Sequence, residues 1–414
     1  MNVICDYNDC TGCMACYNVC SHNAIKMNAD NEGFPHPVIN PQLCIDCGLC
    51  AKVCPINHPV SKSQPLETFS GWSNDEQIRL SSSSGGAFVE IAKFVLSRKG
   101  VVFGVAMDQN IEARHIYIEN EKELEILQGS KYVQSIVGDS FSHAKDFLLQ
   151  GRMVLFSGTP CQIAGLRNYL RKDYDNLYTI DLVCHGVPSP KVFNDYKHYI
   201  EQKIKEPINS IKFRCKKSSW IFYNMGINPH VVKKGTINYS YTGGYYSDPY
   251  IRVFLRDNIL RHNCYHCQYA SLNRVSDFTI GDWWNYKATS YEDRKFDRKG
   301  VSLILCNTSK AQQLVQSLNM KLRQRTIEEA KKTNMPLRNP FPEPITRVKF
   351  WKDYNNKTFE EMVEKWMYPE MILLSTYCQI YYAEHRILYH VIHLYERILR
   401  KIHLQKLIIR IQAK

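Results

Sequence analysis

The sequence predicts an α+β protein: a small cysteine-rich domain comes first, followed by a larger mixed α/β domain and a helical C-terminal tail. Nine of the 16 cysteines lie within the first 54 residues. Apolar runs typical of strands then alternate with helical patterns, and a basic amphipathic pattern lies between residues 387 and 411. A chain of 414 residues is long enough for two or three domains with a sizeable core.

Composition and charge exclude several classes of protein. No run of about 18 uncharged apolar residues is present, so a membrane-spanning helix is not expected. The first ten residues, MNVICDYNDC, lack the basic and apolar segments of a signal peptide, so we expect a cytoplasmic protein. The formal net charge is +13, but no nucleic-acid-binding module is recognisable, so nucleic acid is not an expected partner.

Two copies of one cysteine pattern occupy the beginning of the chain. CTGCMACYNVC starts at Cys10 and CIDCGLCAKVCP starts at Cys44, and both have the spacing C-x2-C-x2-C-x3-C. A tight triplet surrounds one face of a cubane iron–sulfur cluster, while the fourth cysteine crosses to the other cluster. Zinc would instead favour two C-x2-C pairs for each ion. We therefore predict one [4Fe–4S] cluster held by Cys10, Cys13, Cys16 and Cys54, and a second held by Cys20, Cys44, Cys47 and Cys50.

Residues 1–58 resemble the bacterial two-cluster ferredoxins along nearly their whole length. The resemblance implies a domain that conducts electrons and has no catalytic activity of its own. Gly12 and Gly48 are expected to let the backbone turn tightly around the clusters. Cys5 lies outside the repeat and is interpreted as a small buried or surface residue. The proline- and serine-containing segment of residues 58–67 marks the domain boundary.

The middle of the chain has the pattern of an α/β unit. Strands are predicted over residues 101–107, 111–119, 153–156 and 177–183, with helices after the small-residue loop of residues 81–86 and over residues 163–170. The loops at the carboxyl ends of such strands commonly carry function. No G-x-G-x-x-G motif opens a βαβ unit, so a Rossmann dinucleotide site is not predicted.

Four further cysteines are predicted to form a third metal site. Cys161, in GTPCQIAGL, lies between a strand and a helix, where helix N–H groups favour the thiolate. This position alone is compatible with a nucleophile, a redox thiol or a metal ligand. Cys184 follows the next strand, and Cys264 and Cys267 form a C-x2-C pair that lacks two ligands. The four residues together supply a complete set for an iron–sulfur cluster.

Zinc is an alternative at this third site, with His185 and His266 as substitute ligands. The remaining cysteines, Cys215, Cys306 and Cys378, have no motif around them and are interpreted as core or surface thiols. The adjacent pair Trp283 and Trp284 is interpreted as packing.

Several motifs follow one another in a recognisable order: SSSSGG, GSKYVQS, GTPCQIAGL, VCHGVPSP, FRCKKSSW and CYHCQYA with SDFTIGDWW. Together they resemble the beta subunit of the coenzyme F420 (deazaflavin) hydrogenase and its dehydrogenase relatives, from about residue 66 to about residue 345. The resemblance implies a flavin, FAD, bound without a Rossmann fingerprint. It also implies a third [4Fe–4S] cluster beside the flavin, at the four cysteines grouped above.

The same resemblance implies which residues approach the flavin: Ser83, Ser84, Gly85 and Gly86, with Lys131, Tyr132 and Gln134 nearby. Taken alone, the serine–glycine loop suits a phosphate or a flat cofactor ring, although such loops are often linkers. Residues 127–135 would alone be interpreted as a surface turn. No catalytic side chain is assigned.

Two functions are consistent with these features. In the first, the chain is an iron–sulfur flavoprotein oxidoreductase whose flavin exchanges hydride with a deazaflavin or another organic substrate. Its clusters would exchange electrons with a soluble carrier or a partner redox enzyme. In the second, it is a non-catalytic electron-transfer subunit that couples a partner dehydrogenase or hydrogenase to ferredoxin.

The predicted divisions of the chain are residues 1–58, 66–150, 151–345 and 346–414. The first is the two-cluster domain, and the next two are the N- and C-terminal parts of the flavin and iron–sulfur region. The last is a helical basic tail. Its amphipathic segment, residues 387–411, is predicted to lie on an anionic membrane surface, to dock on a partner or to pack on its own domain.

Overall fold

The computed structural model describes residues 3–216, 220–221, 223–232, 236–245, 247–284, 286 and 299–367. Within these residues the chain forms a small N-terminal module and a mixed α/β domain, as predicted. Cys378 and the basic segment of residues 387–411 lie outside the described residues. Among the helices described, none has the length and apolar character needed to cross a membrane.

The N-terminal module contains two short helices and one hairpin. They are α1 (Ala15–Val19), β1 (Ile25–Ala29), β2 (Pro35–Ile39) and α2 (Leu49–Lys52), with β1 and β2 antiparallel. The backbone has positive φ at matching positions of the two cysteine patterns, at Gly12 and Met14 in the first and at Asp46 and Gly48 in the second. The repeat in sequence is therefore also a repeat in backbone conformation.

The strands of the second domain form two sheets. They are β3 (Glu67–Ser73), β4 (Val101–Met107), β5 (Ala113–Ile118), β6 (Val154–Gly158), β7 (Leu177–Leu182), β8 (Ile211–Cys215), β9 (Asn224–Val231), β10 (Ile237–Gly244), β11 (Phe278–Asp282), β12 (Ser302–Cys306) and β13 (Met320–Gln324). The larger sheet has the order β13-β3-β12-β11-β7-β6-β4-β5, and the smaller one the order β10-β9-β8. The four strands predicted from sequence are confirmed as β4 to β7, within a few residues at their ends.

The centre of the larger sheet is parallel. Strands β4, β6, β7 and β11 run in one direction, whereas β5, β12, β3 and β13 pair antiparallel at the two sides. Strands from before and after residue 150 therefore share one sheet. Because the central strands are parallel, the loops after β6 and β7 lie at the same edge of the sheet.

Helices pack on both faces of the larger sheet and around the smaller sheet. They are α3 (Glu76–Ser81), α4 (Ala87–Leu96), α5 (Leu124–Leu127), α6 (Ser140–Leu149), α7 (Pro160–Leu170), α8 (Pro190–Ile204), α9 (Pro249–Leu255), α10 (Ser309–Val315), α11 (Ile327–Thr333), α12 (Arg347–Tyr354) and α13 (Phe359–Met362). Short 3₁₀ segments lie at Glu121–Glu123, His262–His266 and Met335–Leu337, and a π-helical turn lies at Val363–Met367.

The two faces have separate apolar cores because strand side chains alternate. Val102 and Leu155 pack with α4 on one face, and Phe103 and Phe156 pack with α6 and α7 on the other. The second core also includes Met14 and its neighbours from the N-terminal module. The module is therefore packed onto the α6–α7 face of the sheet.

Candidate functional site

Four cysteines of the N-terminal module enclose one cavity, which we call site I: Cys10, Cys13, Cys16 and Cys54. The four residues line this cavity together, and each of them is only 7–8% exposed. In all six pairs, the charge of one thiolate raises the pKa of the other. Four soft thiols around a shared cavity are the donor set of a cubane iron–sulfur cluster, so these residues fit that group.

A fifth thiol lies at the same cavity. Cys5 hydrogen-bonds with Cys10 and Cys54, and this contact is the main cause that lowers the pKa of Cys10 to about 4 and of Cys54 to about 7. The sequence interpretation of Cys5 as an ordinary buried or surface residue overlooked this role. The available signal was its closeness in sequence to Cys10.

The second predicted set, which we call site II, lies nearer the surface: Cys20, Cys44, Cys47 and Cys50. Burial raises the pKa of Cys50, and the charges of Cys47 and Cys44 add to the effect. Cys20 and Cys50 pack around one apolar cluster. Cys47 is exposed, as are the neighbouring apolar side chains Leu43 and Ile45. Site II is therefore the cysteine set with direct access to solvent.

The structure brings the four remaining motif cysteines together, in what we call site III: Cys161, Cys184, Cys264 and Cys267. In all six pairs the charge of one thiolate raises the pKa of the other, in addition to the larger effect of burial. A set of four half-buried thiols is the donor chemistry that iron–sulfur clusters and some zinc sites use.

Local contacts explain how segments so distant in sequence meet at site III. Cys161 lies in the first turn of α7, where Thr159 and Gln162 form a capping box and the Thr159 hydroxyl is 3.1 Å from Cys161 Sγ. Cys184 follows β7 directly. The backbone N–H of Val187 then donates to Cys264 Sγ at 3.4 Å, so the two loops lie side by side.

Burial of Cys161 opposes the thiolate that its own backbone N–H, at the start of α7, favours. Burial raises the pKa of Cys161 to about 11, and the opposing effects of Thr159 and Arg261 are smaller. A free nucleophile needs the thiolate at neutral pH, whereas a bound metal deprotonates its own ligand. The environment therefore suits a metal ligand better than a free nucleophile.

The histidines considered as zinc ligands have other surroundings. His185 Nε2 lies 2.6 Å from Asp257 Oδ1, and its ring stacks on Phe341 at 4.0 Å. His266 is exposed. The four cysteines thus make a complete tetrad without either imidazole.

Sites I and III are neighbours. A Cβ atom at Gly165, on α7, would lie 2.9 Å from Cys13 Sγ, so the absence of a side chain there permits close packing. Tyr269 is 2% exposed and lies between the two sites. Its pKa is raised by burial and then by Cys161, Cys13, Cys267 and Cys54, which belong to both sites.

The structure also brings together the two segments predicted to approach a flavin. Ser83 Oγ accepts hydrogen bonds from the backbone N–H of Ser130 at 2.7 Å and from its hydroxyl at 2.9 Å. The Ser84 hydroxyl donates to the carbonyl of Val301 at 2.8 Å. Gly85 N–H donates to Ser302 Oγ at 2.9 Å. The serine loop is therefore fixed on one side by the 128–131 turn and on the other by the start of β12.

Two glycines shape the serine loop. A Cβ atom at Gly85 would lie 2.3 Å from the carbonyl oxygen of Gly71. Gly86 has a φ of 99° and caps α4. Both positions therefore require glycine, for close approach and for a left-handed backbone respectively.

The side chains of the three residues predicted beside the loop make contacts in three different places. Lys131 Nζ donates to carbonyls at the C-terminal end of α5, including that of Leu127 at 2.9 Å. Tyr132 packs on Phe254 with ring centroids 5.3 Å apart. Gln134 Nε2 donates to the carbonyl of Thr11 at 3.2 Å, so this residue touches site I. Contacts of these side chains with a flavin stay predictions.

Cationic residues near the loop were not selected from the sequence. Lys216 Nζ donates to the carbonyls of Ser84 and Arg79 at 2.5 and 2.8 Å. Arg214, whose side chain is 2% exposed, pairs with Asp282 at 2.5 Å. The signal was present in FRCKKSSW and SDFTIGDWW, but the proximity of these motifs depends on the fold.

The remaining sequence interpretations concern packing. Cys215 and Cys306 are buried, 6% and 0% exposed, which confirms that they are core thiols. Trp283 lies in an apolar cluster, and Trp284 stacks on Trp220 with centroids 5.2 Å apart. Packing is thus confirmed for both tryptophans.

The fold and the cysteine-rich module define an iron–sulfur electron-transfer protein. Residues 9–58 match the family model "4Fe-4S dicluster domain". Two further family models describe the N-terminal and C-terminal parts of "Coenzyme F420 hydrogenase/dehydrogenase, beta subunit", and they match residues 68–139 and 151–332 respectively. Since these last two models together cover more than half of the chain, it belongs to the coenzyme F420 hydrogenase/dehydrogenase beta-subunit family.

Comparison with individual proteins adds little. No curated protein matches the sequence. One similar solved structure is described as "Xenon derivatization of the F420-reducing [NiFe] hydrogenase complex from Methanosarcina barkeri". It is 16% identical, and the match covers 72% of this chain and 93% of that chain with a TM-score of 0.44. A TM-score this low supports no inference about function.

Proposed function

We propose that the chain is an iron–sulfur flavoprotein oxidoreductase that acts on a deazaflavin or another organic substrate. FAD would lie against the serine loop, and electrons would pass between it and a soluble carrier through sites III, I and II. The observation that carries this proposal is that sites I and III lie next to each other around Tyr269. Residues 130–134 connect the serine loop to the wall of site I.

The sites suit the groups assigned to them. The tetrads at sites I and III each combine four mutually interacting thiols, and the cysteine pattern of site II repeats that of site I. When bound, FAD supplies the conversion between two-electron hydride exchange and the single-electron steps that iron–sulfur clusters carry. The chain's own residues would bind these groups and fix their separation, and at site I they also exclude water.

The serine loop and its surroundings suit the diphosphate of FAD. Arg79 brings positive charge to the loop, where its Nε donates to the carbonyl of Gly300. Lys216 donates to the carbonyls of Arg79 and Ser84, and burial lowers the pKa of its amine to about 6. Gly85 and Gly86 leave the backbone open to close approach. These features favour an anionic ligand at the loop without a Rossmann fingerprint.

The distance from the loop to the nearest cysteine site is short. Ser130 bonds with Ser83, while Gln134 bonds with Thr11 in the wall of site I. Four residues of fully extended chain span at most about 14 Å. A flavin beside the loop would therefore lie close to sites I and III.

Site II provides the exit to a carrier. Its exposed apolar neighbours, Leu43 and Ile45, surround the exposed Cys47. The same surface favours a second candidate function, that of an electron-transfer subunit bound to a partner dehydrogenase or hydrogenase. In that case the substrate would be converted on the partner.

The two functions are separated by adding reduced coenzyme F420 to the anaerobically purified chain. The oxidoreductase function predicts bleaching of the flavin followed by reduced-cluster signals in electron paramagnetic resonance (EPR) spectra. Clusters that respond to dithionite but to no organic hydride donor without an added protein would favour the subunit function. A chain purified without flavin would contradict the oxidoreductase function.

A further inference from the structure

Arg261 lies between sites I and III, directly before the 3₁₀ segment that carries Cys264. The residue is 2% exposed. Its Nε donates to the carbonyl oxygen of Cys10 at 2.6 Å, and Nη1 donates to Gln134 Oε1 at 3.2 Å. Nη2 contacts the carbonyl of Pro35 at 3.1 Å and His36 Nε2 at 3.0 Å. The guanidinium therefore ties site I to the segment that forms site III.

Arg261 differs in its pairing from three other buried arginines. Arg274, Arg214 and Arg347 pair with Asp181, Asp282 and Glu32 respectively. Across the described ranges of the chain, no carboxylate lies within ion-pair distance of Arg261. Asp30 joins its network through His36, at 3.3 Å from His36 Nε2.

A buried cation without an anionic partner is costly. The groups that Arg261 contacts belong to the two cysteine sites: its guanidinium donates to the carbonyl of Cys10 in site I, and its own carbonyl accepts from the backbone N–H of Cys264 in site III at 2.8 Å. The absence of a side chain at Gly12 also leaves room for the Arg261 guanidinium. A Cβ atom at Gly12 would lie 2.9 Å from Arg261 Nη1 and 2.4 Å from Gln134 Nε2.

We propose that Arg261 is the shared counter-charge of sites I and III and raises the reduction potential of the cluster at each. The inference rests on the proposed function, since it requires clusters at both sites. A fixed cation stabilises the reduced state, which carries one more negative charge, and its effect is strong where water is excluded. Because one guanidinium serves both sites, it shifts both potentials in the same direction. Arg261 thus acts through the clusters by fixing a positive charge beside them, and it takes no part in substrate chemistry.

The test is an anaerobic redox titration of the full-length holoprotein, followed by EPR. Arg261→Gln removes the charge and is expected to shift the midpoint potentials of sites I and III to more negative values, while that of site II stays in place. Arg261→Lys keeps the positive charge, so the midpoint potentials of sites I and III are expected to stay close to those of the unaltered protein. Arg347→Gln is the matched control, because Arg347 also joins the N-terminal module to the larger domain but pairs with Glu32. This control is expected to leave all three potentials unchanged.

A second variant tests the charge without removing the guanidinium. Gln134→Glu places a carboxylate against Arg261 Nη1 and is expected to shift sites I and III in the same negative direction. Unchanged potentials at both sites in this variant, or an equal shift of all three sites in Arg261→Gln, would overturn the inference.

Iron analysis of the unaltered protein separates this inference from the proposed function. About eight iron atoms with no third cluster signal would refute the cluster at site III, and with it the proposed function. About twelve iron atoms, with midpoint potentials that are the same in Arg261→Gln and Gln134→Glu as in the unaltered protein, would refute only the role of Arg261.

Discussion

Arg274 and Asp181 form an ion pair closed off from solvent, with side chains 1% and 0% exposed and 2.7 Å between Nη2 and Oδ1. Arg274 also donates to the carbonyls of Tyr269 at 2.9 Å and Leu182 at 3.0 Å. The pair therefore fastens the segment after Cys267 to the end of β7, just before Cys184. It explains how a C-x2-C pair and a cysteine some 80 residues earlier reach one site.

Asp181→Asn is expected to lower the free energy of unfolding by about 3–5 kcal/mol, because it leaves the Arg274 guanidinium buried without a counter-charge. Urea unfolding followed by circular dichroism measures the change. The control is Asp173→Asn, since Asp173 is 92% exposed and pairs with Arg167 at the surface. That variant is expected to change stability by about 0.5 kcal/mol at most. Equal small effects in both variants would show that the buried pair is dispensable.

Replacement of Cys161 by serine is expected to remove one cluster and leave the two N-terminal clusters intact. Iron content should fall from about twelve to about eight atoms per chain, because a hard hydroxyl replaces one soft thiolate at site III. Iron analysis and EPR of the purified variant measure this. Cys306→Ser is the control, since Cys306 is fully buried in β12 away from the three sites. A Cys161 variant with full iron but no activity would instead identify a redox thiol or nucleophile.

Gly12→Ala and Gly48→Ala are a matched pair that separates backbone strain from packing. Both residues have nearly the same φ, +68° and +69°. Alanine should therefore cost about 1 kcal/mol at either position. At Gly12 the new methyl group also meets Gln134 and Arg261, whereas nothing lies within 4 Å at Gly48.

Overpacking adds about 1–3 kcal/mol, so Gly12→Ala is expected to be clearly the more destabilising of the two. Chemical unfolding of the two holoproteins compares them directly. Equal destabilisation would mean that the module is not held against Gln134 and Arg261 as described.

Ser83→Ala tests the flavin site. The change removes the acceptor for two hydrogen bonds from Ser130, each worth about 1 kcal/mol, so the affinity for FAD is expected to fall about thirtyfold. Fluorescence of flavin released from dialysed protein measures retention. Ser97→Ala is the control, because Ser97 is exposed and contacts the carbonyl of Phe94 at the end of α4. Undiminished retention in Ser83→Ala would place the flavin elsewhere.

Local sequence patterns predicted much of this fold. Strands β4 to β7 followed from apolar runs and alternation. The helix predicted over residues 163–170 is α7, which begins three residues earlier, at Pro160. The third cysteine set was also predictable, because an incomplete C-x2-C pair needs two more ligands and cysteines in turns can supply them. Spacing was therefore informative wherever chemistry requires a fixed number of ligands.

Features that depend on long-range packing were not predictable. Arg261 contacts Cys10 across 251 positions of sequence, and Gln134 contacts Thr11 across 123. No local pattern specifies such contacts, which arise only when the module packs on the larger domain. The burial that raises the pKa of Cys161 was likewise not predictable, because it depends on the whole fold, whereas a helix terminus is a local effect.

The most direct test of the account is joint quantification of iron, acid-labile sulfide and flavin in the full-length chain purified without oxygen, with EPR of the fully reduced sample. Clusters at sites I, II and III and a flavin at the serine loop predict about twelve iron atoms, one FAD and three interacting [4Fe–4S] signals per chain. About eight iron atoms, two clusters and no flavin would contradict it.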